Sequence, residues 1–259
     1  MDPYGFACAK AVAAGEMALQ RRAQGFETDT KGGNARDLVT SVDREISAYL
    51  VSAIHDAFPS HRIYSEEGND VDNGNAMQWA IDPIDGTSNF SRGIPHFCVS
   101  IGLLENGVPV LGAVYDPSTK ELFSFKKGAG AFLNGAPIRV SSVSTLAQAQ
   151  VVCSPGSRRS ELWDWSAAAY RKLLEHTLKR GMFGSSGLDL CYIAAGRADV
   201  GVYGTLNTLD IAAAFGILTE AGGVYCGKDG EELPFTDKIQ RIYMANSESM
   251  LKALRELIP

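Results

Sequence analysis

No basic run interrupts this chain: Lys and Arg are scattered, and the formal net charge is −6. That balance argues against nucleic acid as a main partner, so an anionic ligand has to be drawn in locally rather than by the field of the whole molecule. Cysteine is sparse too. Five cysteines lie far apart, odd in number and without a C-x-x-C pair, which excludes a disulfide framework and reads as buried free thiols in a reducing compartment. The start, Met-Asp-Pro-Tyr-Gly-Phe, has no basic region ahead of an apolar one, and no apolar run approaches the ~20 residues of a membrane span; no membrane partner is expected, and the cytoplasm is the expected location. There is no G-x-G-x-x-G, which removes the main sign of a dinucleotide fold. What remains is 259 residues, 45% apolar, enough for one large domain or two closely packed lobes.

The most informative stretch is Trp79-Ala-Ile-Asp82-Pro83-Ile84-Asp85-Gly86-Thr87-Ser-Asn-Phe90. An apolar run ends in an acid, a proline and a second acid, then a glycine leads into residues suited to opening a helix. Pro83 fixes its own φ and keeps Asp82 extended. Asp82, Asp85 and the carbonyl of Ile84 then offer oxygen to a hard divalent cation, while the N–H groups of Gly86 and Thr87 present the opposite polarity to an anion. An ordinary turn uses the same residues, so spacing alone leaves both readings open.

Around this stretch the pattern predicts a helix over 4–24 with Phe6, Ala9, Ala13, Met17 and Gln20 on one stripe. A polar loop follows at 25–37, where Lys31 or Arg36 is a candidate anion contact. A second helix opens at Asp37–Asp43 and carries Ile46, Leu50, Ile54 and Ala57 at helical spacing. A short strand runs into Glu66-Glu67. Strand-like runs at 97–104, 110–115, 122–125 and 131–140, the last with Asn134-Gly135 between them, form a meander. Two helices followed by a meander make an α+β chain. Polar residues near 141 suggest a boundary between an N-terminal lobe (1–140) and a C-terminal lobe (141–259). The second lobe adds a strand at 150–154, a helix at 161–175, a helix opened by Gly184-Ser185-Ser186-Gly187, a strand at 198–203, an alanine-rich helix for which Asp210 serves as N-cap, and a closing strand and helix.

Four segments in order resemble the inositol monophosphatase family of magnesium-dependent, lithium-sensitive phosphomonoesterases, which includes archaeal-type fructose-1,6-bisphosphatases: Asp37-Leu-Val-Thr-Ser-Val-Asp43, Ser65-Glu66-Glu67, Asp82-Pro-Ile-Asp-Gly-Thr, and Leu209-Asp210-Ile-Ala-Ala followed by Glu220-Ala-Gly-Gly. The resemblance implies a layered αβαβα sandwich with metals between the lobes. It implies two magnesium ions, or three with a weaker one near Glu66: Glu66, Asp82 and the Ile84 carbonyl on one, and Asp82, Asp85 and Asp210 on the other. Asp43 and Thr87, with Glu66, are the catalytic residues that prepare a metal-activated water for direct attack on phosphorus. Asp85, Gly86 and Thr87 face the phosphate, and Ser185, Ser186 and Tyr203 lie toward the rest of the substrate. The implied partner is a small phosphorylated metabolite, inositol monophosphate first, and the implied assembly a homodimer. Two departures bear on substrate: Leu209 stands where the family usually has Trp, and Tyr203 about where many members have a Glu. They leave fructose 1,6-bisphosphate, nucleotide 3′-phosphates and histidinol phosphate open. From a different class, a catalytically silent regulatory protein on the same fold is the remaining alternative.

Overall fold

A computed structural model describes residues 2–30, 38–68, 70–154, 162–235 and 239–258; Lys31, Arg36, Asp37 and Glu161 lie outside them. Helix α1 (Pro3–Gln24) leads through the β1–β2 ribbon (Thr28–Thr30, Leu38–Thr40) into α2 (Ser41–Ala57). A seven-stranded sheet follows in chain order: β3 (Arg62–Ser65), β4 (Met77–Asp85), β5 (Cys98–Glu105), β6 (Val108–Asp116), β7 (Glu121–Lys126), β8 (Gly130–Leu133) and β9 (Ala136–Ile138), with the short helix α3 (Thr87–Ser91) after β4. Only β3 and β4 pair in parallel; the remaining neighbours are the antiparallel meander that the pattern predicts.

The second half supplies β10 (Gln150–Ser154), α4 (Trp163–His176), β11 (Lys179–Gly181), α5 (Ser186–Ala194), β12 (Val200–Leu206), α6 (Ala212–Glu220), β13 (Val224–Cys226), β14 (Ile239–Ala245) and α7 (Glu248–Leu257). Its strands form a five-stranded sheet of order β11-β10-β12-β14-β13. Helices α1 and α2 cover one face of the first sheet, α5 and α6 fill the space between the sheets, and α4 and α7 close the far side, each interface with its own apolar cluster. This is the expected αβαβα layering.

One helix is turned relative to expectation. The face α1 buries is Phe6, Ala7, Ala11, Ala14 and Ala18, whereas Ala9, Ala13 and Gln20 are exposed. Small side chains let the helix lie close to β5 and β6, and close approach to a sheet decides the face more than bulk apolar character does. In α2, by contrast, Ile46, Leu50 and Ile54 are all fully buried, as the spacing predicts.

Candidate active site

Strand β4 carries its acids to the end of the sheet. Pairing with β5 is regular from Met77 to Asp82 and shifts before Asp85, a bulge at Pro83, which has no N–H to give the ladder. Within the bulge the Ile84 amide donates to Asp82 Oδ1 at 3.0 Å, fixing the first acid. Gly86 then takes φ 98°, a left-handed conformation suited to glycine, and a side chain there would press on the carbonyls of Gly184 and His96 at 3.2 Å.

Carboxylate oxygens of Glu66, Asp82 and Asp210 all lie within 4.8 Å of one another. They come from the end of β3, the end of β4 and the turn before α6, separated by up to 144 positions of chain (210 − 66). What draws the last one in is a row of small residues. Ala80, Gly102 and Gly112 are paired neighbours on β4, β5 and β6, and the start of α6 rests on that row. A Cβ on Gly102 would stand 3.1 Å from the Ala213 amide, and one on Gly112 would stand 2.7 Å from the Ala213 Cβ. Asp210 therefore arrives over the strand that holds Asp82. It does not cap α6: the N-cap position is Ile211, with no side-chain cap, and Asp210 Oδ1 instead accepts a hydrogen bond from the Tyr64 hydroxyl at 3.1 Å.

Burial first, then the charges of Glu66, Asp85 and Asp210, push the Asp82 carboxyl well above the usual carboxylate range. Three acids crowded in this way repel one another until a cation neutralises them. A set of oxygen donors alone, with no imidazole or thiolate in the cluster, suits magnesium or calcium rather than a soft metal.

Beside the cluster, Asp43 divides its two oxygens. Oδ2 caps α2, accepting from the Thr40 amide at 2.9 Å and from the Thr40 hydroxyl, while Thr40 Oγ1 caps the helix in return. Oδ1 accepts from the Thr87 hydroxyl at 3.1 Å, and the same hydroxyl lies 3.0 Å from the Ile84 carbonyl. Capping and the Asp43–Thr87 pair thus coexist. Burial raises the Asp43 pKa, opposed by the hydrogen bonds from Thr40 and Thr87.

Four of the expected site residues make contacts within the protein. Asp85 is not in the three-acid cluster; its Oδ2 accepts from Ser185 Oγ and the Gly187 amide, both at 2.6 Å, and its Oδ1 from the Ser186 amide and hydroxyl at 3.3 and 3.2 Å. The reason is the start of α5, whose own N-cap, Ser185, makes no cap bond. Asp85 supplies the missing acceptor from the other sheet, and Ser185 and Ser186 spend their hydroxyls on it instead of on an open cavity. Tyr203 also departs from expectation: it is 2% exposed and donates its hydroxyl to Asp189 on α5, because the middle helix layer covers this part of β12.

Tyr64 carries no sequence signal of a site role beyond standing two residues before Glu66, near the end of β3. Thr40 stands inside the Asp37–Asp43 segment, and its capping role comes from the structure. Ser65 is buried and shares a 2.7 Å hydrogen bond with Ser47 of α2, so a serine at this place ties β3 to the helix beneath it.

Fold and site together define a layered α+β protein in which the first sheet and the turn before α6 contribute acids to one oxygen-rich, cation-suited centre. The chain belongs to the inositol monophosphatase family, whose model matches residues 3–258. It is 37% identical over 228 residues to inositol monophosphatase 1 of Solanum lycopersicum, covering 85% of this chain and 83% of that protein. It is 38% identical over 203 residues to the Nus factor SuhB of Vibrio cholerae, covering 78% and 75%. Among solved structures, the inositol monophosphatase of Anabaena superposes with a TM-score of 0.85 at 33% identity, covering 99% of this chain and 96% of that one. Membership supports phosphatase chemistry without naming a substrate. No helix among the described residues is long and apolar enough to cross a membrane.

Proposed function

We propose that this protein is a magnesium-dependent phosphomonoesterase acting on a small phosphorylated metabolite, with inositol monophosphate the first substrate to test. The observation that carries the reading is the meeting of Glu66, Asp82 and Asp210 within 4.8 Å, next to the Thr87–Asp43 pair. Glu66, Asp82 and Asp210 would hold the first ion. Asp85 would join a second through Oδ1, whose contacts with Ser186 are the longer ones, 3.2 and 3.3 Å. Bound magnesium supplies positive charge to the phosphoryl oxygens, which is its contribution to an in-line displacement.

The chain's own residues do the remaining work. Thr87, hydrogen-bonded to Asp43 Oδ1, orients a water and passes its proton toward the carboxylate. The amides of Gly86 and Thr87 face the equatorial oxygens. The departures at Leu209 and Tyr203 keep the substrate question open.

Five free cysteines fit a reducing cytoplasm. A homodimer would cover the apolar side chains around the edge strand β11: Leu178 is 65% exposed, Met182 57% and Phe183 45%, and Asn89 ties the Phe183 carbonyl to the segment carrying the exposed Ile94.

The deciding assay is phosphate release from myo-inositol 1-phosphate, fructose 1,6-bisphosphate, 3′-phosphoadenosine 5′-phosphate, NADP and histidinol phosphate, with magnesium and then with added lithium. Release from at least one compound, abolished in Asp82→Asn and inhibited by lithium, is the expected result. Magnesium binding with no release from any of them would favour the alternative of a catalytically silent regulatory protein on this fold.

A further inference from the structure

The third acid of the cluster is not the N-cap of the helix it precedes. Asp210 lies in the turn before α6, facing two other carboxylates, and like charges at that range drive it outward. One restraint that opposes this is a directed chain of hydrogen bonds. The Leu209 amide donates to Asn207 Oδ1 at 3.1 Å, which fixes the orientation of the Asn207 amide group, since the opposite orientation would set two donors face to face. Asn207 Nδ2 therefore points at Tyr64 and donates to its hydroxyl oxygen at 2.6 Å. With an incoming donor already on it, the hydroxyl sends its single proton the other way, to Asp210 Oδ1 at 3.1 Å.

We propose that Tyr64 is a positioning residue for the cation centre, holding the Asp210 carboxylate toward Glu66 and Asp82, and that Asn207 sets the direction of its proton. The assignment rests on reading the three-acid cluster as a cation site. The hydroxyl comes from β3 of the first sheet and the acid from the turn before α6, so the bond also fixes the spacing of the two ligand-bearing segments. Hydrogen-bonding partners of metal ligands typically change metal affinity by about 10- to 100-fold when removed. The ring of Tyr64 packs beside Leu209, Ala80 and Ala212, and phenylalanine keeps those contacts.

The test is magnesium binding by isothermal titration calorimetry on the full chain, with no substrate and no turnover, comparing wild type, Tyr64→Phe, Asn207→Ala, their combination, and Asp82→Asn. Tyr64→Phe is expected to bind magnesium about 10- to 100-fold more weakly, with an unchanged circular dichroism spectrum. Asn207→Ala loses less, and adds nothing to Tyr64→Phe because it acts through the hydroxyl. A purely structural tyrosine would lower the melting temperature and leave the affinity of the folded chain alone. Wild-type affinity in Tyr64→Phe, while Asp82→Asn has lost binding, overturns this inference and leaves the cation reading intact. Fully additive losses overturn the role given to Asn207. A wild-type chain that binds no magnesium overturns the cation reading and this inference with it.

Discussion

Replacing Asp82 with asparagine should make the metal-free protein more stable while removing its response to magnesium. Asp82 is 3% exposed, and oxygens of Glu66 and Asp210 lie within 4.8 Å of its own. At 4.8 Å two unit charges repel by about 3.5 kcal/mol when the effective dielectric constant is about 20, and Asp82 has two such neighbours. Proton uptake caps the cost. An acid with an unfolded pKa near 3.9 that is held protonated in the folded state at pH 7 costs at most about 4 kcal/mol, roughly three pH units at about 1.4 kcal/mol each. Asparagine removes that cost and keeps an oxygen for the Ile84 amide. A gain of about 2–4 kcal/mol, or roughly 5–15 °C, is expected in EDTA at pH 7. Wild type should instead gain about 2.7 kcal/mol from magnesium at a hundred times its Kd, and the variant almost nothing. Differential scanning fluorimetry with and without magnesium measures both arms, and phosphate release gives the activity lost in exchange. A variant that melts at or below wild type in EDTA and shifts equally with magnesium would refute the reasoning.

Thr87→Ala should keep the magnesium-dependent rise in melting temperature and lower kcat by about 10²- to 10⁴-fold, the usual worth of a positioned proton acceptor; Thr87→Ser, which keeps the hydroxyl, should recover much of it. Metal-free stability should fall as pH rises from 5 to 9. Asp43, Asp82 and Asp85 all have raised pKa values, chiefly through burial, so the folded chain holds protons the unfolded chain has released, and the stability this gives is lost as pH climbs through the raised values. Asp29 and Glu121 are shifted downward and titrate below this window, while His61, lowered by burial, works the other way around its usual range; a melting temperature that rises steadily across the window in EDTA would contradict the assignment. Gly112→Ala puts a Cβ 2.7 Å from that of Ala213. It should cost about 1–3 kcal/mol and also weaken magnesium binding, because α6 carries Asp210 with it, whereas an unchanged affinity would detach the helix seat from the metal centre.

Much of the centre was legible because each of its parts lies in a short motif that resembles one family's. Asp82, Asp85 and Gly86 stand together where an apolar strand stops, a pattern an ordinary turn shares, and it is the resemblance of the four segments to one family that singles out these residues together with Asp43, Glu66 and Asp210. The meander was readable from the pattern itself, since alternation and Asn134-Gly135 are short-range signals. What stayed hidden depends on partners far along the chain. Asp85 and Ser185 are 100 positions apart, and nothing in either neighbourhood says that one closes the other's helix. Tyr64 and Asp210 are 146 apart, and nothing around either residue in the sequence says that they meet. The buried face of α1 was misplaced because alanines occur on several sides of this helix, so periodicity does not single out Ala7, Ala11, Ala14 and Ala18 as the side that seats it.

The row Ala80, Gly102 and Gly112 has a further consequence. Backbone and alanine methyls meet there, so the separation of Asp82 from Asp210 is set by these small groups and does not depend on which large side chains fill the surrounding layers. Residues that face a substrate can therefore be exchanged during divergence without shifting the acids, and one scaffold can serve different phosphate esters while its inorganic chemistry stays put.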